Sequence, residues 1–324
     1  MPTPRSKQLC LQATPYYHCV SRCVRRAFLC GQDRVSNKSY EHRRAWIEKR
    51  LLFLSKVFCI KICAYAVMSN HCHLVVHIDE NAARELTDLE VVQRWHHVYQ
   101  GTLITQQFER ENKVEDYLVA TLKHTISVYR NRLFDLSWFM RSLNEPIARM
   151  ANAEDECTGR FWEGRFVSQA LLDDSALAAC MAYVDLNPLR SGMVDTPEQS
   201  EFTSIRRRVQ SLLQRKDANP LMPFRDQREP GLASVVPFNF KDYLELVDLT
   251  GKAMRANDVN IIDNNLPRIL SRLNISSSNW FRLTRKFEVY FKGAIGNCES
   301  LTHFCNLQNR VRRLNINVSK KYFR

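Results

Sequence analysis

Apolar and polar residues alternate roughly along Thr14–Val24, the segment Thr-Pro-Tyr-Tyr-His-Cys-Val-Ser-Arg-Cys-Val, and this pattern predicts a strand. Residues 39–57 carry Arg, Leu and Glu at helical spacing. Residues 59–67, Cys-Ile-Lys-Ile-Cys-Ala-Tyr-Ala-Val, predict a mostly buried strand, and 71–78, His-Cys-His-Leu-Val-Val-His-Ile, a second one after a turn or bulge at Met68-Ser69-Asn70. Thr87-Asp88-Leu89-Glu90 has the form of a capping box and opens a helix expected to run to about residue 109. Two further helices are expected over about 115–134 and 138–152, the second capped by Ser137, with Pro146 as a kink or restart inside it. Asp173-Asp174-Ser175 caps another helix, which Pro188 should stop near Asn187.

The stretch 217–238 holds four prolines and reads as a linker. Beyond it, residues 240–324 are helical in pattern, and no internal repeat is visible. The expected fold class is therefore α+β: a catalytic-sized domain over 1–210, a proline-containing linker over 211–239, and a smaller basic α-helical domain over 240–324. With 324 residues, 45% hydrophobic and 25% charged, the chain can bury a core, which excludes wholesale disorder. No run of about 18 apolar residues is present, so no membrane partner is expected. The residues after Met1 show no apolar signal region, which leads to an expectation of a cytoplasmic, nucleoid-associated protein.

Charge changes the picture. The net formal charge is +13, but it is uneven: +10 over residues 1–61, −8 over 62–200 and +11 over 201–324. Two basic ends suit a polyanionic partner, because each Lys or Arg that meets a phosphate releases counterions; a basic but merely solvated surface is the plainer alternative. The eleven cysteines include no Cys-x2-Cys pair, which argues against structural zinc, and their odd number suits a reducing compartment.

Three groups of residues carry candidate chemistry. His71 and His73 are two apart on a strand, so they project to one face about 6.6 Å apart and could converge on one divalent cation. His77 shares their parity but lies too far along the strand to join them. Two ordinary hydrogen-bonded histidines are the plainer reading. Tyr183 and Asn187 are four apart on a helix and share a face; alone, they also fit a core aromatic and a pre-proline helix end. Thr158–Phe166 contains two Gly-Arg-Phe triplets, suited either to phosphate contact and base stacking by Arg160, Trp162 and Arg165 or to a structural hairpin.

Taken in order, these segments resemble the HUH single-tyrosine transposases, specifically the REP-associated branch. Met68-Ser69-Asn70-His71-Cys72-His73-Leu74-Val75-Val76 resembles the family's His-hydrophobe-His strand. Tyr183-Val184-Asp185-Leu186-Asn187-Pro188-Leu189-Arg190-Ser191-Gly192-Met193-Val194 resembles its tyrosine helix, Tyr16–Arg22 its first strand, and the Gly159–Phe166 motif falls between them. The likeness spans about residues 14–200. Two positions depart from the pattern: Cys72 stands between the histidines in place of a bulkier hydrophobe, and Ser69 where a proline is usual.

The resemblance implies a ferredoxin-like antiparallel sheet flanked by helices and an enzyme that cleaves and rejoins single-stranded DNA, often at hairpin-forming palindromes. It implies Tyr183 as nucleophile and His71, His73 and Asn187 as ligands of Mg2+ or Mn2+. A phenol has an ordinary pKa near 10 and attacks only if its proton is accepted; the ion would polarise the phosphate, giving a 5′-phosphotyrosine and a free 3′-OH. Expected DNA contacts are Arg22, Arg160, Trp162, Arg165, Arg190, Arg206, Arg207 and Arg208. The partner is single-stranded or hairpin DNA, with RNA as an alternative, and the oligomeric state is monomer or homodimer. Two other classes stand beside this one: a non-catalytic hairpin-binding factor, and a metal nuclease that uses water. Residues 265–290 suggest two helices around a turn at 274–278, and with the aromatics and cations of Asn279–Lys286 they suit either a helix-turn-helix-like DNA-binding module or a basic helical domain that simply packs on the core.

Overall fold

The structure is a computed structural model that describes residues 8–24, 29–32, 37–214, 219–227, 234–263 and 268–323. Four strands make one antiparallel sheet: β1 (Tyr16–Arg22), β2 (Ile60–Val67), β3 (His71–Ile78) and β4 (Val167–Ala170). Their order, β2-β3-β1-β4, with a helix between β1 and β2 and helices between β3 and β4, is the ferredoxin-like arrangement.

Period-two alternation divides the sheet into two faces. Tyr17, Cys19, Cys72, Leu74 and Val76 point into a core built with the helices His42–Val57, Val119–Leu133 and Leu136–Glu154. The opposite face carries Ala64, Ala66 and Val75, and against it lies the helix Asp174–Asp185. By parity His18, His71, His73 and His77 belong to this second face. The helix Asp174–Asp185 is apolar all round, and every residue from Ala176 to Asp185 is buried. A helix of that kind needs cover on both sides. The sheet supplies one side; the helices Phe240–Ala256 and Ser277–Tyr290 supply the other, through Leu246, Trp280, Leu283 and Phe287 in the same apolar cluster.

A buried carboxylate ties these layers together. Asp185, at the end of the tyrosine-bearing helix, accepts bonds from the Ile205 backbone N–H (3.0 Å), the Tyr243 hydroxyl (2.7 Å) and the Ser204 hydroxyl. Burial pushes its carboxyl above the usual range, partly offset by those three donors.

The structure departs from the sequence reading in several places. The helix expected to run to residue 109 stops at His96, and a second helix, Leu103–Glu111, starts behind its own capping box at Thr102 and Thr105. Gly101 lies in the break and only glycine fits there: its φ is +71°, and a Cβ would lie 2.1 Å from His96 Nε2. The cap of the helix Leu136–Glu154 is Asp135 rather than Ser137, and Pro146 sits within the helix without ending it. The stretch read as a linker is anchored where it is described. Leu221, Met222, Phe224, Val236 and Phe238 are buried, and the Met222 N–H donates to the Ile62 carbonyl at 2.8 Å. None of the eleven cysteines is in a disulfide, and nine are buried. Among the described residues no helix is long and apolar enough to cross a membrane.

Candidate functional site

β3 presents His71 and His73 on one face as the strand period requires, their ring centroids 4.6 Å apart. The antiparallel register sets Val20 opposite His73 and Arg22 opposite His71, so His18 of β1 lies diagonally across from His73. Its ring stacks on that of His73 at 5.2 Å, and His18 Nε2 lies 3.0 Å from His73 Nδ1. Tyr183 closes the cluster from the helix above, edge-on to His73 at 5.6 Å and to His18 at 6.5 Å. Glu288, from the helix Ser277–Tyr290, places Oε1 3.6 Å from His73 Nδ1.

Arg190 links the remaining members. Its guanidinium lies over the Tyr183 ring at 4.4 Å and donates to the Tyr183 hydroxyl (3.0 Å) and to Asn187 Oδ1 (2.8 Å). Asn187 thus reaches the site, but with its carbonyl oxygen engaged by Arg190 and its buried Nδ2 without a partner. Tyr183 is only 2% exposed, stacked on Phe287 at 5.6 Å.

Burial dominates the electrostatics. It pushes the Tyr183 phenol well above its ordinary range; Arg190 acts against this, and Glu288 adds to it through charge and hydrogen bonding. Burial, reinforced by Arg22 and Arg190, pushes His71 down to about 4. It holds His73 far below the ordinary histidine range and His18 below it as well. The three rings are therefore neutral at pH 7, the form in which an imidazole binds a metal.

Two features bear on a cation. His18, His73 and Glu288 each offer one donor atom, all within 4.8 Å of one another, so this group can hold a metal ion. In addition, His73 Nε2 is buried with no hydrogen-bond partner, an atom that a cation would satisfy.

A cleft of about 530 Å3 opens beside the cluster, lined by Arg22, Arg165, Lys292 and, at its inner end, Gln169 and Glu288. Arg22 and Arg165 are exposed there. Arg160 is exposed on the same loop, whose aromatics turn inward instead. Phe161 is buried, and Trp162 donates its indole N–H to the Asn144 carbonyl at 2.8 Å. The Arg206–Arg208 triplet lies elsewhere, on the helix Ser204–Leu213, and does not join the site. Arg206 bonds the Glu198 carbonyl at 2.7 Å, and Arg207 pairs with Glu48 at 3.7 Å.

Arg208 corrects the reading of the triplet as a DNA-facing cluster. It is 3% exposed and donates to the Cys63 and Met222 carbonyls at 3.0 and 2.9 Å, so it has no route to a phosphate. Trp280 corrects the corresponding reading of Asn279–Lys286. Two helices do flank the expected turn, Arg268–Leu273 and Ser277–Tyr290, but Trp280 is fully buried and bonds Thr250 Oγ1 at 2.8 Å. His77 stays apart from the cluster, packed edge-on against Tyr16 at 4.9 Å.

Sequence reasoning did not select His18, Gln169 or Glu288. His18 carries a faint signal, a buried polar residue within β1, whereas nothing in the local pattern marks Gln169 or Glu288.

The fold and cluster together define a class: a ferredoxin-like sheet with a histidine pair on one strand and a tyrosine helix laid across it. No family model and no curated protein matches the chain. Among solved structures it is similar to one described as a REP-associated tyrosine transposase bound to a REP hairpin. The two are 12% identical with a TM-score of 0.37, over 70% of this chain and 90% of that one.

Proposed function

We propose that the chain is a metal-dependent enzyme that cleaves and rejoins single-stranded DNA at hairpin or palindromic repeats through a 5′-phosphotyrosine. The observation that carries this reading is the meeting of Tyr183 with His73, His71 and Arg190, together with the buried, unpartnered Nε2 of His73. His18 from β1, His71 and His73 from β3, and Tyr183, Arg190 and Glu288 from three helices converge there, which a merely structural tyrosine does not need.

In this reading His71 and His73 hold the ion, with Asn187 as third ligand once Arg190 releases its oxygen. Mg2+ or Mn2+ would polarise the scissile phosphate and stabilise charge on the departing oxygen. Nitrogen donors are softer than the set Mg2+ prefers, so Mn2+ should serve at least as well. The chain's own groups do the rest. The Tyr183 oxygen bonds to phosphorus as the P–O3′ bond breaks; the phenol gives up its proton and the 3′-oxygen takes one up. Attack by another 3′-OH on the phosphotyrosine reverses these changes and rejoins a strand. Arg190 stabilises negative charge on the phenol oxygen it already touches. Arg22 and Arg165 hold the backbone in the cleft.

A non-catalytic hairpin-binding factor has one observation in its favour, the 2% exposure of Tyr183: substrate reaches the phenol only after Arg190 or the helix Ser277–Tyr290 shifts. Hairpin oligonucleotides labelled at the 3′ end, the end that a 5′-phosphotyrosine retains on the protein, are incubated with Mn2+ to separate the readings. A labelled protein adduct on a denaturing gel with wild type, absent with Tyr183→Phe, supports transesterification. Cleavage without an adduct indicates a nuclease that uses water, and binding without cleavage indicates the non-catalytic factor.

A further inference from the structure

The histidine cluster contains a chain of hydrogen bonds whose direction can be read from its outer end. Gln169 of β4 sits opposite His18 of β1 in the sheet register. Its Nε2 donates to the Phe291 backbone carbonyl at 2.9 Å. A carbonyl cannot donate, so the NH2 end of the amide must face Phe291 and the oxygen must face inward. That oxygen lies 2.9 Å from His18 Nδ1. An amide oxygen can only accept, so His18 Nδ1 carries the ring proton and Nε2 carries a bare lone pair. His18 Nε2 is 3.0 Å from His73 Nδ1. The proton between them must therefore come from His73, which leaves His73 Nε2 bare.

The opposite assignment fails twice. It would set two lone pairs against each other at 3.0 Å, and it would bury an N–H at His73 Nε2 where no acceptor exists. Glu288 Oε1, 3.6 Å from the same Nδ1, also favours a proton there. The neighbouring ring is oriented in the same sense: Asn70 Oδ1 lies 2.5 Å from His71 Nδ1, which leaves the His71 Nε2 lone pair toward the site.

We infer that Gln169 and His18 are positioning residues that hold His73 as its Nδ1–H tautomer, so that its Nε2 is preset as a ligand beside His71. This rests on the metal-dependent reading above. It also distinguishes two places for a cation. The relay puts the ion at the Nε2 side, whereas an ion held by His18, His73 and Glu288 would need a bare His73 Nδ1. Phe291 follows directly on the helix that supplies Glu288, so the C-terminal region anchors the outer end of the relay.

The test uses the full chain. Long-range 1H–15N spectra of metal-free, 15N-histidine-labelled protein report the tautomer without any variant, and the result expected is His73 protonated at Nδ1. Mn2+ affinity is then measured by titration for wild type, His18→Leu and His18→Gln, with thermal unfolding run alongside to show that each is folded. His18→Leu should weaken Mn2+ binding about 10- to 100-fold. His18→Gln should restore most of it, because a carboxamide can accept from His73 and donate to Gln169. His73 protonated at Nε2, or equal Mn2+ affinity in all three proteins, overturns the relay while leaving a metal site in place. Wild type that binds no Mn2+ removes both the relay's purpose and the metal-dependent reading.

Discussion

Arg208→Ala should unfold the protein far more readily than alanine at either neighbour in the Arg206–Arg208 triplet. The Arg208 guanidinium is buried and donates to two backbone carbonyls, of Cys63 and Met222, while lying 4.6 Å from the Phe224 ring centroid. Cys63 stands at the register shift in β2 between Ile62 and Ala64, so this bond supplies a donor where the strand ladder is interrupted. Bonds from a charged donor are worth about 1.5–3 kcal/mol each, and truncation leaves two buried acceptors without them. Removing the buried cation returns its desolvation cost, which burial signals by lowering the proton affinity of the guanidinium. The net loss should be about 3 kcal/mol, read as a lowered urea midpoint and a Tm lower by several degrees. Arg206→Ala, at a half-buried position bonded to one carbonyl, should stay within about 1 kcal/mol of wild type. An Arg208→Ala protein as stable as wild type, with weakened DNA binding, would refute the reasoning.

Other consequences can be checked separately. Arg165→Ala should weaken single-stranded DNA binding and flatten the slope of log affinity against log salt by about 1, as expected for one lost phosphate contact; an unchanged slope removes Arg165 from the DNA path. Burial lowers the pKa of His77 from the ordinary 6.5, so the folded state holds its ring neutral while the unfolded chain takes up a proton. The folded pKa lies below the unfolded one, so this stability is complete above about 6.5 and falls away as the pH drops from there toward the folded value. His77→Phe should make the acid limb of Tm against pH shallower, and an unaltered limb would count against it. Mn2+ at about 100 times its Kd should stabilise wild type by about 2.7 kcal/mol and raise its Tm; the rise should vanish in His73→Ala.

The legible part of this protein is what local periodicity can encode. The second histidine strand falls at residues 71–78 in both sequence and structure, and the strand period alone places His71 and His73 on one face. Helical spacing pairs Tyr183 with Asn187 only on paper, because the helix ends at Asp185, Asn187 opens the short helix Asn187–Arg190, and Arg190 bonds both side chains. What was hidden depends on segments distant in the chain. His18 meets His73 only because β1 pairs with β3 in one particular register, and Gln169 meets His18 through a second pairing. Glu288 arrives from 100 residues beyond the tyrosine helix, on a helix whose polar face looks ordinary. One signal was present but general: the run Ala176–Val184 has no polar face, so something outside the sheet had to cover it. The Arg206–Arg208 run shows the opposite difficulty. Three adjacent cations look alike in sequence, yet the helix turns the third inward toward the Cys63 and Met222 carbonyls.

The central claim concerns a covalent bond between Tyr183 and DNA. The most direct measurement incubates wild type and Tyr183→Phe with a 3′-labelled single-stranded hairpin and Mn2+, then follows the label on a denaturing protein gel and locates it by peptide mass spectrometry. The result expected is label retained on the wild-type peptide containing Tyr183 and none on the variant, which still binds the hairpin. Label carried equally by Tyr183→Phe, or hairpin cleavage by wild type with no retained label, would contradict the assignment.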